Sequence, residues 1–316
     1  MTLLLLEGPD GGGKTTLAKT VLKDYAYQHN GPPPWTGMAA DKSVAKRNEV
    51  FWWQLGNLVP KDATGRTVVD RSWPSEQAYG RVLDRPLVFH ALAQRMFERY
   101  MLSVGGIVVL CLPPFHVARA AWKDRVNEGR ELLNEEWQFA EIYAMYERWR
   151  TCLPVVDYDY SRDDDELLLD GIDQETLVPN PHPGILFGNP QAKILVVGEQ
   201  SNLKWNEAGL HFPFIGPSRN AVWLAAQFER MAIPESAIAW INALQPDNRP
   251  TPAAVVGATV EVIVALGHTA TRWAIQNGEH CHQLISVPHP AYWTRFNAND
   301  DTWPLHEHVH LLHHFT

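Results

Sequence analysis

Two short stretches hold side chains whose spacing points to chemistry. In EGPDGGGKTT, residues 7–16, the pattern GxxxxGK[ST] runs from Gly8 to Thr15. Glycines at 8, 11, 12 and 13 let backbone amides turn inward on phosphate oxygens, and a helix start would add its positive dipole end. Lys14 is placed to reach the β- and γ-phosphates, the Thr15 hydroxyl can join a magnesium shell, and Asp10 and Thr16 complete the cofactor-binding stretch. The expected cofactors are ATP and Mg2+. Further on, TVVDRSW, residues 67–73, sets Asp70 and Arg71 at the end of a short apolar run. A carboxylate there can orient magnesium or take a proton from an attacking hydroxyl, and Arg71 can hold an anionic group beside it. The alternative is a surface ion pair capping a strand.

The elements that must position these residues are legible as apolar runs ending in turns. TLLLLEGPDGGG at 2–13 and AKILVVGEQSN at 192–202 both have the form of a first, buried strand of a parallel sheet. TVVD at 67–70 and GIVVLCL at 106–112 read as further strands, with helical patterns around 86–103 and 131–150. The first half therefore predicts β-α-β-α-β, a doubly wound parallel α/β sheet. A segment rich in Pro, Gly and Asn, LVPNPHPGILFGNPQ, follows, so domains are expected at 1–180 and 181–316. In the second half AIAWIN at 237–242, VEVIVALG at 260–267 and QLISVPHP at 283–290 each end at Gly, Asn or His. This is again α/β, with functional loops at strand ends.

Composition excludes several classes. The 316 residues are 45 % apolar and 20 % charged, as in a folded globular chain, and three isolated cysteines offer neither a disulfide framework nor a CxxC site. The LLLL run at 3–6 is far shorter than a membrane span, so no membrane partner is expected and the cytoplasm is the expected location. A net charge of -9 argues against a strongly basic nucleic-acid coat, although a local basic groove is compatible with it. The histidines at 306, 308, 310, 313 and 314 read as a polar tail helix in preference to a metal site.

EGPDGGGKTT, DRSW with SEQAYG, and LCLPPFHVARAAWKDRVNEGRELLNEEWQFAEIYAMYERW at 110–149 together resemble the thymidylate kinase branch of P-loop kinases over about the first 160 residues. The resemblance implies that Arg119, Arg125 and Arg130 lie in or near a lid that closes over the transferring phosphoryl group, with Arg125 foremost. One family feature is missing. The Arg-Glu-Pro-Gly-Gly type segment that grips an acceptor's own phosphate is replaced by HNGPPPWTG at 29–37 and NEVFWWQLG at 48–56. Trp35, Trp52 and Trp53 can stack on a base or sugar, or fill a core.

In the second half ILVVGEQSN, HFPFIGPSRNAVWL, WINALQPDNRPTP, VIVALGHTATRWA and SVPHPAYW resemble, in order and approximate spacing over residues 185–296, the uracil-DNA glycosylase superfamily. A pocket for an extruded pyrimidine needs an aromatic face, an amide for the Watson-Crick edge and a donor at a ring carbonyl. The resemblance assigns these to Phe214, Asn242 and His289, and puts Ser218 and Arg219 near backbone phosphate. The resemblance is greatest to the small iron-sulfur-bearing branch, whose cluster-binding cysteines are absent here, so no iron-sulfur cluster is expected. The turn that would place a hydrolytic water is GEQSN; Glu199 is retained, which leaves hydrolysis open, while the altered turn favours reading without cleavage. Together the halves resemble bacteriophage 5-hydroxymethyluracil DNA kinases, which implies DNA containing a modified pyrimidine as partner and an infected bacterial cell as setting. A free deoxynucleoside monophosphate kinase with a passenger domain, an active glycosylase fused to a kinase, and a DNA-binding scaffold remain alternatives.

Overall fold

The computed structural model describes residues 2–30, 51, 53, 55–58, 65–84, 90–131, 133–162, 165–175, 178–200, 213–214, 218–296 and 303–316. Trp35, Trp52 and the Ser201-Asn202 end of the GEQSN turn lie outside them, and Trp53 is half-buried. The chain divides into two units, one of 1–90 with 105–177, the other of 91–104 with 178–316.

The first unit is built on five parallel strands in the order β2-β3-β1-β4-β5: β1 Thr2–Glu7, β2 Ala26–His29, β3 Arg66–Asp70, β4 Gly106–Cys111 and β5 Val155–Tyr158. Leu3 to Leu6 of β1 are buried on both faces, which is why that strand is an unbroken apolar run and not an alternating one. Helices α1 Lys14–Thr20 and α2 Trp73–Val82 follow β1 and β3. Strand β1 is central: β2 and β3 lie to one side of it, β4 and β5 to the other. The turn after β1 is therefore the topological switch point, where open α/β sheets bind ligands. The predicted doubly wound order is present, with β2 and β5 as strands that apolar patterning did not mark. Their short, half-exposed edge positions explain this.

Helix α3, His90–Ser103, belongs to the second unit, although sequence position placed it in the first domain. Its two buried arginines, four residues apart, need carboxylate partners, and those come from the second half of the chain: Arg95 pairs with Glu229 at 3.0 Å, and Arg99 with Glu235 at 3.0 Å. Position in sequence cannot reveal that pairing. The helices α4 Phe115–Asn127, α5 Glu136–Arg148 and α6 Asp165–Gln174 complete the first unit.

The second sheet has the order β10-β9-β7-β8-β6, with β6 Phe187–Gly188, β7 Ile194–Gln200, β8 Ile238–Leu244, β9 Val262–Leu266 and β10 Gln283–Val287. It is mixed, because β6 pairs antiparallel with β8 while the other pairs are parallel. Alternation along β7 sends Ile194 and Val196 to one core with α7 Arg219–Arg230, and Leu195 and Val197 to the other with α8 His268–Asn277. After α9, Pro290–Phe296, the histidine-bearing tail forms α10, Val309–His314. It is not simply polar: Trp303, Leu305 and Leu312 are buried in the α7-side core, and His306 Nε2 lies 2.9 Å from Gln227 Oε1. Among the described residues no group of three or more His, Cys, Asp or Glu is placed to hold a metal ion, and no helix is long and apolar enough to cross a membrane.

Candidate functional site

The loop between β1 and α1 is held by close backbone approach. A Cβ on Gly8 would stand 2.2 Å from the Cys111 carbonyl oxygen of β4, and Gly13, at φ +85°, leaves room for the Tyr160 ring, 2.7 Å from where its Cβ would be. Only glycine satisfies both demands. The loop opens on a cleft of about 390 Å³ that takes in Asp10, the glycines at 11, 12 and 13, Lys14, Thr15 and Thr16. The Lys14 ammonium is buried and donates to the Gly8 and Pro9 carbonyls, both at 2.7 Å. Burial, then the neighbouring Arg71 charge, lowers its pKa against the pull of Asp70 and Asp10.

Register brings Asp70 to this loop, since it pairs with Leu6 across β1 and with His29 across β2. Its Oδ2 accepts from Thr15 Oγ1 at 3.1 Å and from the Tyr27 hydroxyl at 2.9 Å, and His29 Nδ1 lies 3.3 Å away. Burial alone would raise the Asp70 pKa, but the His29 contact and the Lys14 and Arg71 charges hold it well below the usual carboxylate range. Its other oxygen, Oδ1, is buried without a hydrogen-bond partner among the described residues. A hydroxyl and an ionised carboxylate with one oxygen unspent fit magnesium, which takes one or two protein ligands and completes its shell with water and phosphate oxygens. Thr15 and Asp70 are the residues that would hold it.

Opposite them Arg71, itself at φ +73°, pairs with Asp10 and lies over the Tyr79 ring at 4.6 Å. Tyr79 donates its hydroxyl to Asp10 Oδ2 at 2.8 Å and accepts the Asp10 amide at 3.0 Å. Burial raises the Asp10 pKa, and the Arg71 and Lys14 charges more than reverse this, keeping it ionised. On α4, Ala121 and Arg125 face the cleft one turn apart. Arg119 lies on another face of that helix, where it and Lys123 both reach Glu136, at 2.6 and 3.4 Å. Arg130 pairs with Glu128. Of the three arginines expected in the lid, then, only Arg125 lines the cleft.

Two carboxylates here escaped sequence reasoning. Glu131 pairs with Arg125, and burial together with the Asp10 charge pushes its pKa up to about 7. Glu7, fully buried at the end of β1, accepts from the Ser72 amide at 2.7 Å, Ser75 Oγ at 2.6 Å and the Tyr146 hydroxyl at 3.1 Å, yet burial outweighs these bonds and pushes its pKa up to about 7. A carboxyl raised from 4.5 holds a proton that the unfolded chain releases. Its contribution is full below pH 4.5 and falls as pH rises to about 7, a change of about 3 kcal/mol. Glu7→Gln is expected to flatten this descent in urea unfolding between pH 4.5 and 7.5. Equal descents in both proteins would refute the assignment.

In the second unit the four predicted residues meet at the carboxyl ends of β7 to β10. A Cβ on Gly198 would lie 2.7 Å from both Asn242 Oδ1 and the Phe214 ring, so a glycine on β7 leaves space for the amide and the aromatic face to converge. Gly267, at φ +96°, does the same for Glu199 and His289. The Phe214 and His289 rings stand 5.8 Å apart. His289 Nδ1 accepts the Ala291 amide at 3.1 Å, so its proton sits on Nε2 as a donor. Burial lowers its pKa, with Glu199 pulling the other way, which keeps the ring neutral. Glu199 Oε1 accepts weakly from the Thr269 amide at 3.3 Å. Ser218 caps α7 by accepting the Ala221 amide at 3.2 Å, and Arg219 donates to the Thr294 carbonyl at 3.0 Å. The set combines a flat ring, an amide and an imidazole N–H donor. It is the second switch point in the chain, because β7 is central to its own sheet.

No protein-family model matches the chain. It is similar to an adenylate kinase of Clavibacter michiganensis subsp. michiganensis, 26 % identical over 170 residues that cover 50 % of this chain and 79 % of that protein. Among solved structures it is similar to the Bacillus subtilis YorR protein in complex with phosphorylated GDP, 18 % identical over 54 % of this chain and 94 % of that one, with a TM-score of 0.40. It is also similar to the M. mycoides deoxyadenosine kinase with dCMP and dCDP bound, 17 % identical over 54 % and 99 %, with a TM-score of 0.36. The amino-terminal half carries a phosphate loop at the central strand of a parallel α/β sheet, the P-loop kinase-like arrangement, and is similar to a nucleotide kinase. The chain is a phosphotransferase.

Proposed function

We propose that this enzyme transfers the γ-phosphoryl group of ATP to the 5-hydroxymethyl oxygen of 5-hydroxymethyluracil in DNA, with the uracil-DNA glycosylase-like second unit reading the base. The observation that supports this acceptor is the convergence of Phe214, Asn242 and His289 at one set of strand ends, on the same chain as the phosphate loop. In the transfer the bond between the γ-phosphorus and the β,γ-bridging oxygen breaks, a bond to the hydroxymethyl oxygen forms, and ADP leaves. Lys14 and Arg125 hold the charge of the transferring group, and Arg71, fixed by Asp10, orients the anionic side of the site. Magnesium held by Thr15 and Asp70 would neutralise charge on the β- and γ-phosphates. Asp70 is assigned the hydroxyl proton through its one unspent oxygen, a role that is the alternative to holding magnesium directly. So acidic a carboxylate is a weak base, which suffices where the transition state is loose and the proton moves late.

The adenylate kinase relative favours a second reading, a soluble nucleotide as acceptor. One assay separates the two. γ-Labelled ATP is supplied with DNA containing thymine, uracil or 5-hydroxymethyluracil and, separately, with free nucleoside monophosphates. Label on 5-hydroxymethyluracil DNA alone is expected. Label confined to monophosphates would replace the first reading with the second, and alkali-sensitive breaks in uracil DNA would reveal hydrolysis through Glu199.

A further inference from the structure

Phe214 sits in a left-handed backbone conformation, φ +50°, that a bulky residue does not adopt unaided. The group that holds it comes from α3. Arg99 is 1 % exposed and donates from one guanidinium nitrogen to the carbonyls of Pro213 at 3.0 Å and Phe214 at 2.9 Å. Its other two nitrogens form a fork on Glu235, Nε at 3.1 Å and the second Nη at 3.0 Å, and its plane lies 3.6 Å over the Trp240 ring. Trp240 in turn stands 6.2 Å from the Phe214 ring and donates its indole N–H to Glu235 at 3.0 Å. Four of the five N–H donors of the planar fork thereby have a named acceptor, an arrangement an ammonium cannot reproduce. The neighbouring Arg95 shares Glu235 at 3.2 Å but turns to Glu229 and the Ile233 carbonyl.

We infer that Arg99 is a positioning residue for base recognition: it holds the Phe214 backbone so that the ring presents its face to an extruded pyrimidine. The inference rests on the base-reading role proposed above. The helix that supplies Arg99 lies, in sequence, between strands of the first unit, yet it is built into the second and holds Pro213 and Phe214 there.

The test measures, on full-length protein, the ratio of affinities for a short duplex carrying one 5-hydroxymethyluracil and for the same duplex with an abasic analogue there. Phe214→Ala is expected to reduce this ratio by a factor of about 5–150, the range for loss of one base-aromatic stack. Arg99→Lys, which keeps a cation beside Glu235, is expected to reduce it by at least about fivefold, with no further loss in the double variant. Arg95→Lys disturbs the same carboxylate and serves as the control; its melting temperature falls, but its ratio holds. ATP affinity reports that each variant retains its first unit. An unchanged ratio in Phe214→Ala would overturn base reading itself. A loss in Phe214→Ala with none in Arg99→Lys, or an equal loss in Arg95→Lys, would leave base reading standing and overturn the positioning role.

Discussion

Lys14→Met is expected to slow phosphoryl transfer by a factor on the order of 10²–10³, the usual cost of removing one preorganised donor from a developing anion. The side chain is only 5 % exposed, and its ammonium now rests on the carbonyls of Gly8 and Pro9. Those two bonds lie within its own loop, so the ammonium can exchange them for phosphate oxygens without disturbing the sheet. Stability should change little. Methionine leaves two carbonyls less well satisfied, at about 1–3 kcal/mol, but it also removes a desolvated charge that stands near Arg71. The decisive comparison is the rate of label transfer in the variant and wild type at saturating ATP, with thermal melts run alongside. A variant retaining more than about a tenth of the rate would remove Lys14 from the transition state.

The second large effect lies in the other unit. Glu235 has a fully buried side chain and is surrounded by the Arg99 fork, Arg95 and the Trp240 indole. Glu235→Ala strands two guanidinium groups in the core and is expected to cost about 3–5 kcal/mol, enough to melt the second unit before the first. Glu235→Gln keeps the shape and should fall between. The pH dependence has the opposite sign to that of Glu7. Burial would raise the Glu235 pKa, but Arg99 and then Arg95 hold it below its ordinary 4.5. Its stabilisation is therefore present above pH 4.5 and is lost as pH falls below that value. A fragment of residues 178–316 lacks both arginines and should behave as the alanine variant does. Calorimetry of the three proteins checks this: an independently stable fragment, or an alanine variant that melts like wild type, would show that the buried cluster contributes nothing.

Legibility differed sharply between the two sites. The phosphate loop was readable because its chemistry is local: glycines, lysine and threonine act through consecutive backbone, and the apolar runs at 3–6 and 67–69 announced buried parallel strands. Asp70 and Arg71 could be named for the same reason, as residues at a strand end. Glu7, Glu131 and Tyr79 could not, because their importance is burial beside residues distant in sequence, Tyr146 for Glu7 and Asp10 for Glu131 and Tyr79. The lid arginines show the limit of spacing alone. Arg119 and Arg125 share one helix, yet six residues turn them to different faces, and only the packing of α4 decides which sees the cleft.

Sequence by itself determined that a triphosphate-binding loop opens a parallel α/β sheet and that a second α/β segment follows, since periodicity, glycine placement and strand-end residues are properties of short windows. Tertiary structure alone decided that helix 90–103 is built into the second unit. That choice turns on where a buried arginine finds its carboxylate. Desolvation makes an unpaired charge so costly that the helix goes to Glu229 and Glu235, more than 125 residues away in the chain, and no local pattern records that destination.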